Sequence, residues 1–479
     1  MLIMLFKGAC VKNKTCYEML VDGVDLKKGY IVFNGHKIPT RTFLKNIEDF
    51  AISIKNLGFK KGDVLTLFLP TCPQALVAFY ACSKIGVIVN IVHPLMPIDK
   101  LKDNLKQTKS KGLMYFDILI KNHKDLASLD QILINCSISD YVVVRKLIFK
   151  IFSFYKCKTY KNSIKYSKLV KNNKNVTPTE IEGKANDVVC TMHSGGTSGL
   201  PKIIELQNCA FNNLSVSLEK MYTRKIRGGG NEYSLVALPI FHAYGLGVSV
   251  HTCLTNQYSL ILVPNFRPKT FNKMIRKYNV TFFAGVPVMF KKMMEQKNFR
   301  GKHLAKLKDL WCGGDVLTES FVEHFDIILE KYKSSARLFR GYGLTEVASV
   351  CAANTFENYR PYSCGKPIPN TKIEIWDDSN NPLAPNTIGE IAICSPSVMK
   401  GYLNEINGFV HKGKEKWVKT GDMGYMDEDG YLYIMDRRKR SIKINALNVF
   451  PSEIETLVKQ IDVIDETCAV HIITMTKLT

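Results

Sequence analysis

The residues best suited to chemistry form one short stretch, residues 193–202, with the sequence HSGGTSGLPK. Three glycines and three hydroxyl side chains stand together without a bulky side chain among them, and Lys202 closes the run. Glycine permits positive φ and lets backbone N–H groups approach a ligand closely. Because the hydroxyls add donors and the lysine adds a positive charge, the stretch has the parts of a phosphate-binding loop. An ordinary turn is the alternative for a glycine cluster taken by itself.

The sequence on either side of this stretch argues against a P-loop. The apolar residues 187–192 predict a short buried strand before it, and residues 203–206 predict another strand after it. A P-loop requires G-x-x-x-x-G-K-S/T at the start of a helix, whereas Leu200 and Pro201 separate the last glycine from Lys202. We therefore predict a strand–loop–strand unit.

A second group of candidate residues has the sequence GYGLTE at 341–346. It is not a dinucleotide fingerprint, since Glu346 stands where the third glycine would be. Tyr342 offers a flat ring to a nucleobase, while Thr345 and Glu346 offer oxygen ligands for the Mg²⁺ that accompanies nucleotide phosphates. The glycines predict a flexible turn that presents these side chains.

Three further sites each have a functional and a structural interpretation. His242, in LPIFHAYGLG, is either a pocket residue or a histidine packed in a turn. Gly313 and Gly314 end a strand predicted from Leu310, and ligands of α/β proteins bind at that edge of the sheet; a tight turn is the alternative. Asp422, in VKTGDMG, either accepts both hydroxyl protons of a ribose or is an aspartate in a glycine turn.

In their order along the chain, these stretches resemble the motifs of the adenylate-forming (ANL) superfamily, which includes acyl-CoA synthetases, luciferases and peptide-synthetase adenylation domains. The run that closes in Gly-x-Pro-Lys, the LPxFHxxG segment and the YGxTE motif follow the family's order. The resemblance covers nearly the whole chain. Among the members of the superfamily, the chain most resembles fatty-acyl or aryl CoA ligases.

The resemblance implies a role for each candidate residue. The residues implied in catalysis are Lys202, Thr345, Glu346, His242 at the acyl pocket and Lys443, of which Thr345 and Glu346 would also bind Mg²⁺. The residues implied in binding the nucleotide or its adenylate are Ser194, Gly195, Gly196, Thr197, Ser198 and Gly199 at the phosphates, Gly313, Gly314, Asp315, Gly341, Tyr342 and Gly343 around adenine, and Asp422, Arg437, Lys439 and Asn448 at the ribose and the later adenylate or thioester step.

The implied reaction joins a carboxylic acid to ATP, giving acyl-AMP and pyrophosphate, and then forms a thioester with CoA. ATP, Mg²⁺ and CoA as co-substrate are therefore the expected cofactors, and no covalent enzyme nucleophile is expected. One alternative is an acyl-AMP former with another acceptor, because Ala446 replaces a glycine that is usual there. Another is a protein that binds ATP or acyl-AMP but turns over slowly. The sequence does not distinguish between a fatty acid and an aryl acid as the substrate.

The order of helical and strand patterns predicts an α/β fold. Between residues 40 and 92, a helix capped by Thr40, a strand, a proline-started helix and a second strand alternate, which implies parallel strands with crossover helices. Short β runs after residue 365 predict a small β subdomain. We predict an N-terminal domain at 1–435, made of layered α/β subdomains (about 1–364) and the β subdomain (about 365–435).

A hinge at Asp436 and the start of a small α+β C-terminal lid domain are predicted for residues 436–479. This segment is shorter than a self-standing domain usually is. It also lacks the family's final Pro-Lys-x-x-x-Gly-Lys stretch, whose last lysine contacts the reacting groups. We therefore expect an incomplete lid, in either a truncated product or a protein that works without it.

Composition indicates a globular chain of two or three domains, given its 479 residues and 46% hydrophobic content. No apolar run approaches the ~20 residues that span a bilayer, and the apolar start is too short for a signal peptide. The 14 cysteines are scattered without C-x-x-C, which favours free thiols. These features predict a cytoplasmic protein.

The net charge of +23 is partly local, since residues 145–174 contain ten basic and no acidic residues, with aromatic residues between them. A solvated lysine-rich insertion is favoured, and a membrane-surface patch that gives peripheral membrane contact is the alternative. No nucleic-acid-binding motif is present in the sequence. The expected partners are therefore small molecules: a carboxylic acid, ATP and CoA.

Overall fold

A computed structural model describes most of the chain. The described residues are 13–119, 129–141, 160, 162–171, 178–193, 202–221, 232–315, 317–405, 408–437, 442–444, 447–449, 451–458, 467 and 469. Most of the basic segment 145–174 and the whole of the predicted phosphate loop, 194–199, lie outside them.

The described helices are distributed along the whole chain. They are α1 Cys16–Gly23, α2 Thr40–Asn56, α3 Pro73–Ile85, α4 Ile98–Gln107, α5 Tyr166–Leu169, α6 Asn208–Glu219, α7 Cys253–Thr255, α8 Pro268–Tyr278, α9 Pro287–Met294, α10 Glu319–Lys331 and α11 Pro451–Val458. A π-helix, Tyr244–Thr252, precedes α7, and short 3₁₀ helices occupy Ile138–Asp140, Lys302–Lys306 and Thr345–Val347.

The described strands alternate with these helices in the first three quarters of the chain and follow one another closely after it. They are β1 Tyr30–Phe33, β2 His36–Pro39, β3 Val64–Phe68, β4 Ile88–Ile91, β5 Ser110–Phe116, β6 Ile132–Cys136, β7 Ile164–Lys165, β8 Val188–His193, β9 Ile203–Gln207, β10 Tyr233–Val236, β11 Ser259–Leu262, β12 Phe282–Gly285, β13 Asp309–Cys312, β14 Arg337–Leu344, β15 Ser349–Ala353, β16 Lys366–Pro367, β17 Lys372–Trp376, β18 Gly389–Cys394, β19 Gly401–Tyr402, β20 Val410–Lys412, β21 Glu415–Met426, β22 Leu432–Arg437, β23 Ile442–Ile444 and β24 Leu447–Val449.

Local sequence explains where the early helices begin and end. Helix α3 opens with Pro73, whose fixed φ suits the first turn, and it ends at Gly86 in the left-handed region with φ of 73°. The helix predicted to be capped by Thr40 is present as α2, but the capping prediction is wrong. Pro39 occupies the cap position without a side-chain hydrogen bond, and Thr40 is the first helical residue.

One sheet carries the predicted strand–loop–strand unit at its end. Among the described residues its order is β19-β9-β8-β4-β3-β5-β6-β7. The strands from β8 to β7 are parallel, as the alternation of helices and strands predicts, whereas β8 and β9 are antiparallel neighbours. Strands β8 and β9 therefore confirm the two strands predicted at 187–192 and 203–206, and the strand after the loop excludes a P-loop, which needs a helix there.

A second sheet, in the order β16-β15-β14-β13-β12-β10-β11-β1-β2 among the described residues, provides most of the site. Strands β14, β13, β12, β10, β11 and β1 are parallel, so their carboxyl ends meet at one edge. Residues 341–344, predicted as a flexible turn, instead continue β14 as far as Leu344 and pair with the antiparallel β15. The 3₁₀ helix Thr345–Val347 follows directly.

A smaller antiparallel sheet is formed by β17, β18, β20, β21 and β22. Its long strand β21 contains Asp422, which faces Arg437 of β22 in the register of the pair. This sheet lies within residues 372–437, in the part of the chain expected to be a β subdomain. The boundaries proposed at 364 and 435 stay a prediction.

Most buried apolar residues of the two large sheets and their helices form one extensive cluster, and a smaller cluster contains residues of α4 and of strands β3, β5 and β6. Among the residues that the structure describes, the cysteines are free thiols, as predicted. In the same part of the chain, no helix is both long enough and apolar enough to cross a membrane.

Candidate functional site

A cavity of about 260 Å³ lies where β13, β14, β15 and the start of the π-helix meet. It brings together three of the stretches singled out in the sequence, namely those around His242, the glycine pair and the GYGLTE residues. The residues that line it are Leu238, His242, Ala243, Tyr244, Val286, Trp311, Gly313, Gly314, Arg340, Gly341, Tyr342, Gly343, Leu344, Thr345, Ser349, Val350 and Ala353.

His242 and Tyr244 form one wall of this cavity. The Tyr244 hydroxyl donates to the backbone oxygen of Trp311 at 3.1 Å, which ties the start of the π-helix to β13. The ring of Phe241 lies 4.6 Å from that of His242 and 4.5 Å from that of His93. His242 reaches solvent, yet neighbouring protein removes part of its water and lowers its pKa, and nearby His93 lowers that pKa further. The imidazole is therefore neutral at pH 7.

The glycines allow neighbouring strands to approach closely at the cavity. A Cβ on Gly313 would lie 3.2 Å from the backbone oxygen of Gly341, on the neighbouring strand. A Cβ on Gly343 would lie 1.7 Å from the backbone oxygen of Ser349, so β14 and β15 can pair here only if residue 343 is glycine. Asp315 follows the glycine pair but is exposed and does not line the cavity.

Asp422 is buried and bonded to two other predicted site residues. The hydroxyl of Tyr342 donates to its Oδ2 at 2.5 Å, and Nε of Arg437 lies 2.8 Å from its Oδ1. Burial raises the pKa of Asp422, while the Tyr342 hydrogen bond and the Arg437 charge oppose that rise. A carboxylate offers about four lone-pair directions. Two are used by these partners, so the group can still accept from two hydroxyls of a ligand.

Thr345 and Glu346 follow β14 in the 3₁₀ helix and are half-buried. Their hydroxyl and carboxylate oxygens are the donor types that Mg²⁺ prefers. Among the described residues, no group of three or more His, Cys, Asp or Glu side chains could hold a metal ion. Mg²⁺ bound with a nucleotide usually takes only one or two ligands from the protein and the others from phosphates and water, and the donor types of Thr345 and Glu346 fit that pattern.

Lys202, at the end of the predicted loop, is held by two residues that the sequence did not single out. Its Nζ lies 2.8 Å from Oε2 of Glu405 and 4.5 Å from the centre of the Tyr402 ring. The Tyr402 hydroxyl in turn donates to Oε1 of Glu346 at 3.1 Å. The two contacts of Lys202 join segments about two hundred residues apart, and nothing local in the sequence signals any of these contacts.

Arg340 is a further cavity residue that sequence reasoning missed. Its guanidinium pairs with the buried carboxylate of Glu319 at 2.8 Å, and the hydroxyl of Tyr359 donates to the same carboxylate at 2.6 Å. Burial and the neighbouring Glu319 raise the pKa of Tyr359 to about 12. The positive charge of Arg340 is thus balanced by Glu319 behind the cavity wall.

Several predicted residues lie outside what the structure describes. Ser194–Gly199 of the predicted loop and Lys439 are among them. Lys443 and Asn448 are described as backbone only, and they face each other across β23 and β24. The roles predicted for all of these residues stay predictions.

Comparisons of this chain with known proteins agree on one family. Residues 26–403 match the family model described as AMP-binding enzyme. The chain is 30% identical to a long-chain-fatty-acid–CoA ligase of Bacillus subtilis, over 95% of this chain and 82% of that protein. It is 27% identical to a probable 4-coumarate–CoA ligase 3 of Dictyostelium discoideum, over 96% of this chain and 81% of that protein.

Solved structures share the fold at lower identity. ATP-bound MatB from Rhodopseudomonas palustris superposes with a TM-score of 0.78 at 20% identity, covering 93% of this chain and 82% of that one. The o-succinylbenzoate CoA synthetase MenE from Bacillus subtilis, in complex with its acyl-adenylate intermediate, gives a TM-score of 0.73 at 20% identity, covering 95% and 84%. Sequence and fold therefore agree, and the chain belongs to the AMP-binding enzymes of the adenylate-forming superfamily.

Proposed function

We propose that this protein activates a carboxylic acid with ATP, giving acyl-AMP and pyrophosphate, and then transfers the acyl group to CoA. The observation that carries the proposal is the single cavity shared by His242, the glycine pair and the GYGLTE residues, with Asp422 bonded to Tyr342 at its edge. These residues come from separate motifs of the sequence, and the proposed function requires all of them to contact the same bound ligand.

The nucleotide half of the proposal rests on Tyr342 and Asp422. Tyr342, Gly313 and Gly314 all line the cavity, so a purine bound there would meet both an aromatic ring and peptide groups. The Tyr342 hydroxyl already fixes one oxygen of Asp422. A ribose attached to that purine would meet the remaining acceptor sites of the carboxylate, which favours a nucleotide over a bare base.

The acid half rests on the apolar part of the cavity. Leu238, Val286, Trp311 and Val350 provide its hydrophobic surface, which suits an acid with an apolar body, whether a fatty chain or an aryl ring. Neutral His242 would not form an ion pair with the carboxylate. The carboxylate therefore stays available for the reaction, and the imidazole acts as a surface against which the acyl group packs.

In the proposed reaction, a carboxylate oxygen of the acid attacks the α-phosphorus of ATP. The bond from this phosphorus to the oxygen that bridges to the β-phosphate breaks, and pyrophosphate leaves with the electron pair. The ammonium of Lys202 would lie against the phosphates and offset their negative charge, and Thr345 and Glu346 would orient the phosphates. Bound Mg²⁺ would supply further charge neutralisation at the phosphate oxygens. The CoA thiol then attacks the acyl carbonyl, and AMP leaves.

The choice of CoA as acceptor is supported by the relatives, which are named as fatty-acid and 4-coumarate CoA ligases. MatB is described with bound ATP, and MenE with ATP and a magnesium ion. We extend these substrates to the present chain. The division into an N-terminal domain at 1–435 and a lid at 436–479 is part of the same proposal.

The experiment that tests this function is acid-dependent ATP–pyrophosphate exchange, measured over a panel of fatty and aryl acids. Exchange above the acid-free background with at least one acid supports adenylation, and loss of free thiol on adding CoA then supports the second step. A folded protein that shows no exchange with any acid of the panel contradicts the proposal. Exchange without thioester formation would keep the first step and overturn CoA as the acceptor.

A further inference from the structure

Residues 399–405, which we name the clasp, connect the two parts of the chain that carry Lys202 and Glu346. The backbone N–H of Leu403 donates to the oxygen of Ile203 at 2.8 Å, directly after Lys202. At the other end, the N–H of Met399 donates to the backbone oxygen of Glu346 at 2.7 Å. The pairing of β19 with β9 extends the same contact. The clasp therefore fixes the backbone positions of both residues relative to itself.

Tyr402, at the centre of the clasp, contacts both side chains. The ammonium of Lys202 lies 4.5 Å from the centre of the Tyr402 ring, within the range of a cation–π interaction. The hydroxyl at the end of that ring donates to Oε1 of Glu346 at 3.1 Å. A phenol is protonated across the physiological pH range, so the hydroxyl of Tyr402 remains a donor.

The hydrogen bond limits how the Glu346 carboxylate can turn. One of its lone-pair directions is used by Tyr402, which restricts rotation of the group and leaves other directions for a ligand. Without this bond the half-buried carboxylate could rotate, and a metal ion shared with phosphates demands fixed ligand geometry. The hydroxyl of Tyr402 thus orients an oxygen ligand without occupying it fully.

The ring contact has a different effect on Lys202. Its ion pair with Glu405 involves side chains that are 49% and 41% exposed. An exposed pair of this kind contributes little stability, so an incoming phosphate can replace Glu405 without a large penalty. The ammonium lies over the Tyr402 ring and is attracted by the quadrupole of that ring. This contact does not remove the positive charge that a phosphate would meet.

Building on the proposed function, we propose that Tyr402 is a positioning residue for adenylation. It holds the Lys202 ammonium through its ring and the Glu346 carboxylate through its hydroxyl, so that both groups meet the same triphosphate. Tyr402 contacts two groups that have roles in the proposed reaction, but it does not contact a reacting atom itself.

The test compares Tyr402→Phe, which keeps the ring and removes the hydroxyl, with Tyr402→Leu, which removes both contacts. For Tyr402→Phe we expect kcat of acid-dependent pyrophosphate exchange to fall about tenfold, the effect of one hydrogen bond to a charged group. The KM for ATP in the presence of Mg²⁺ should rise, because the carboxylate that would bind the ion is no longer oriented. Tyr402→Leu should lose a further tenfold or so in kcat and raise the ATP KM further, since the Lys202 contact is lost as well.

A binding measurement separates positioning from a general structural role. In calorimetric titrations of ATP with and without Mg²⁺, the wild type should gain affinity from the ion, and Tyr402→Phe should lose most of that gain. Tyr425→Phe is the matched control, because it removes a phenol hydroxyl from β21 whose ring stacks on Tyr433 away from the clasp. It should resemble the wild type in both assays.

A variant that leaves Tyr402 unchanged tests the same contacts in case Tyr402→Phe does not fold. A Cβ on Gly408 would lie 3.0 Å from Cε2 of Tyr402, so Gly408→Ala should displace the ring and reproduce the loss in kcat without changing Tyr402 itself. Wild-type kcat and wild-type Mg²⁺ enhancement in Tyr402→Phe would overturn the inference while leaving the proposed function intact. Absence of exchange in the wild type with every acid would instead reject the proposed function, and the titrations would still decide the role of Tyr402.

Discussion

Replacing Asp422 by asparagine should weaken ATP binding strongly while leaving the fold intact. The carboxylate is buried, with Oδ2 bonded to Tyr342 and Oδ1 paired with Arg437. In the variant, the amide oxygen must face Arg437, because two sets of N–H donors would repel each other. The amide nitrogen then faces the Tyr342 hydroxyl, whose oxygen can accept. The packing volume is retained, but the negative charge and one acceptor for the ribose are lost.

The size of the effect follows from that count of acceptors. A hydrogen bond to a charged group contributes about 1.5–3 kcal/mol, and a factor of ten in affinity corresponds to about 1.4 kcal/mol. Loss of one such bond therefore predicts ATP binding weaker by roughly tenfold to one hundredfold. The neutral amide can still bond to the other ribose hydroxyl, so binding should not be abolished.

The assay is calorimetric titration of the wild type and Asp422→Asn with ATP and with 2′-deoxy-ATP. The wild type should prefer ATP, and the variant should discriminate less between the two. Asp429→Asn is the control, since Asp429 is exposed and pairs with Arg360 away from the cavity. If Asp422→Asn binds ATP within about twofold of the wild type at unchanged thermal stability, the ribose assignment and the reasoning behind it are wrong.

The remaining predictions concern the pH dependence, the acyl pocket and the strand pairing. Arg437→Gln should shift the acidic limit of ATP binding to higher pH, since binding needs ionised Asp422, the pKa of Asp422 is raised, and Arg437 opposes that rise; ATP affinity measured against pH checks this. His242→Ala should raise the KM for the acid about fivefold, as about 1 kcal/mol of packing is lost, with the ATP KM unchanged in exchange kinetics. Gly343→Ala should lower stability by about 3 kcal/mol or more, because a Cβ at this position would overlap the Ser349 backbone and separate β14 from β15; the midpoint of thermal unfolding would show the loss.

Each of these predictions has an outcome that contradicts it. An acidic limit that moves to lower pH in Arg437→Gln would mean that another group controls binding. Equal increases in both KM values for His242→Ala would remove His242 from the acyl pocket. For Gly343→Ala the control is Gly401→Ala, whose Cβ would meet nothing closer than 4.0 Å. Equal stability of the two variants would refute the steric argument.

Much of the fold could be predicted because local patterns determine it. The proline-started helix and the two strands predicted between residues 40 and 92 are present as α3, β3 and β4, and the strand predicted from Leu310 is part of β13. Where prediction failed, a tertiary contact prevailed over local propensity. The glycines of GYGLTE suggest a turn, yet β15 returns along them and draws them into a strand, which only glycine at 343 permits.

The candidate site could be predicted only where a motif is continuous in sequence. Tyr342 and Asp422 were each recognised in their own stretch, but their hydrogen bond depends on how the small sheet docks on the large one. The contacts of Tyr402 with Lys202 and of Glu319 with Arg340 carry no local pattern at all. Such pairs are set by the packing of whole elements, which periodicity and propensity do not describe.

The position of β1 has a consequence for biosynthesis. Its residues Ile31, Val32 and Phe33 are buried in the finished protein, where they pair with Leu260, Ile261 and Leu262 of β11. The hairpin partner β2 follows β1 directly, but a ribosome must add more than two hundred residues before the other edge of β1 can pair with β11. At about 5–20 residues per second, this delay is on the order of ten to forty seconds. During that time an apolar strand edge from the start of the chain is open to other chains, so it is a natural substrate for chaperones that act on nascent proteins.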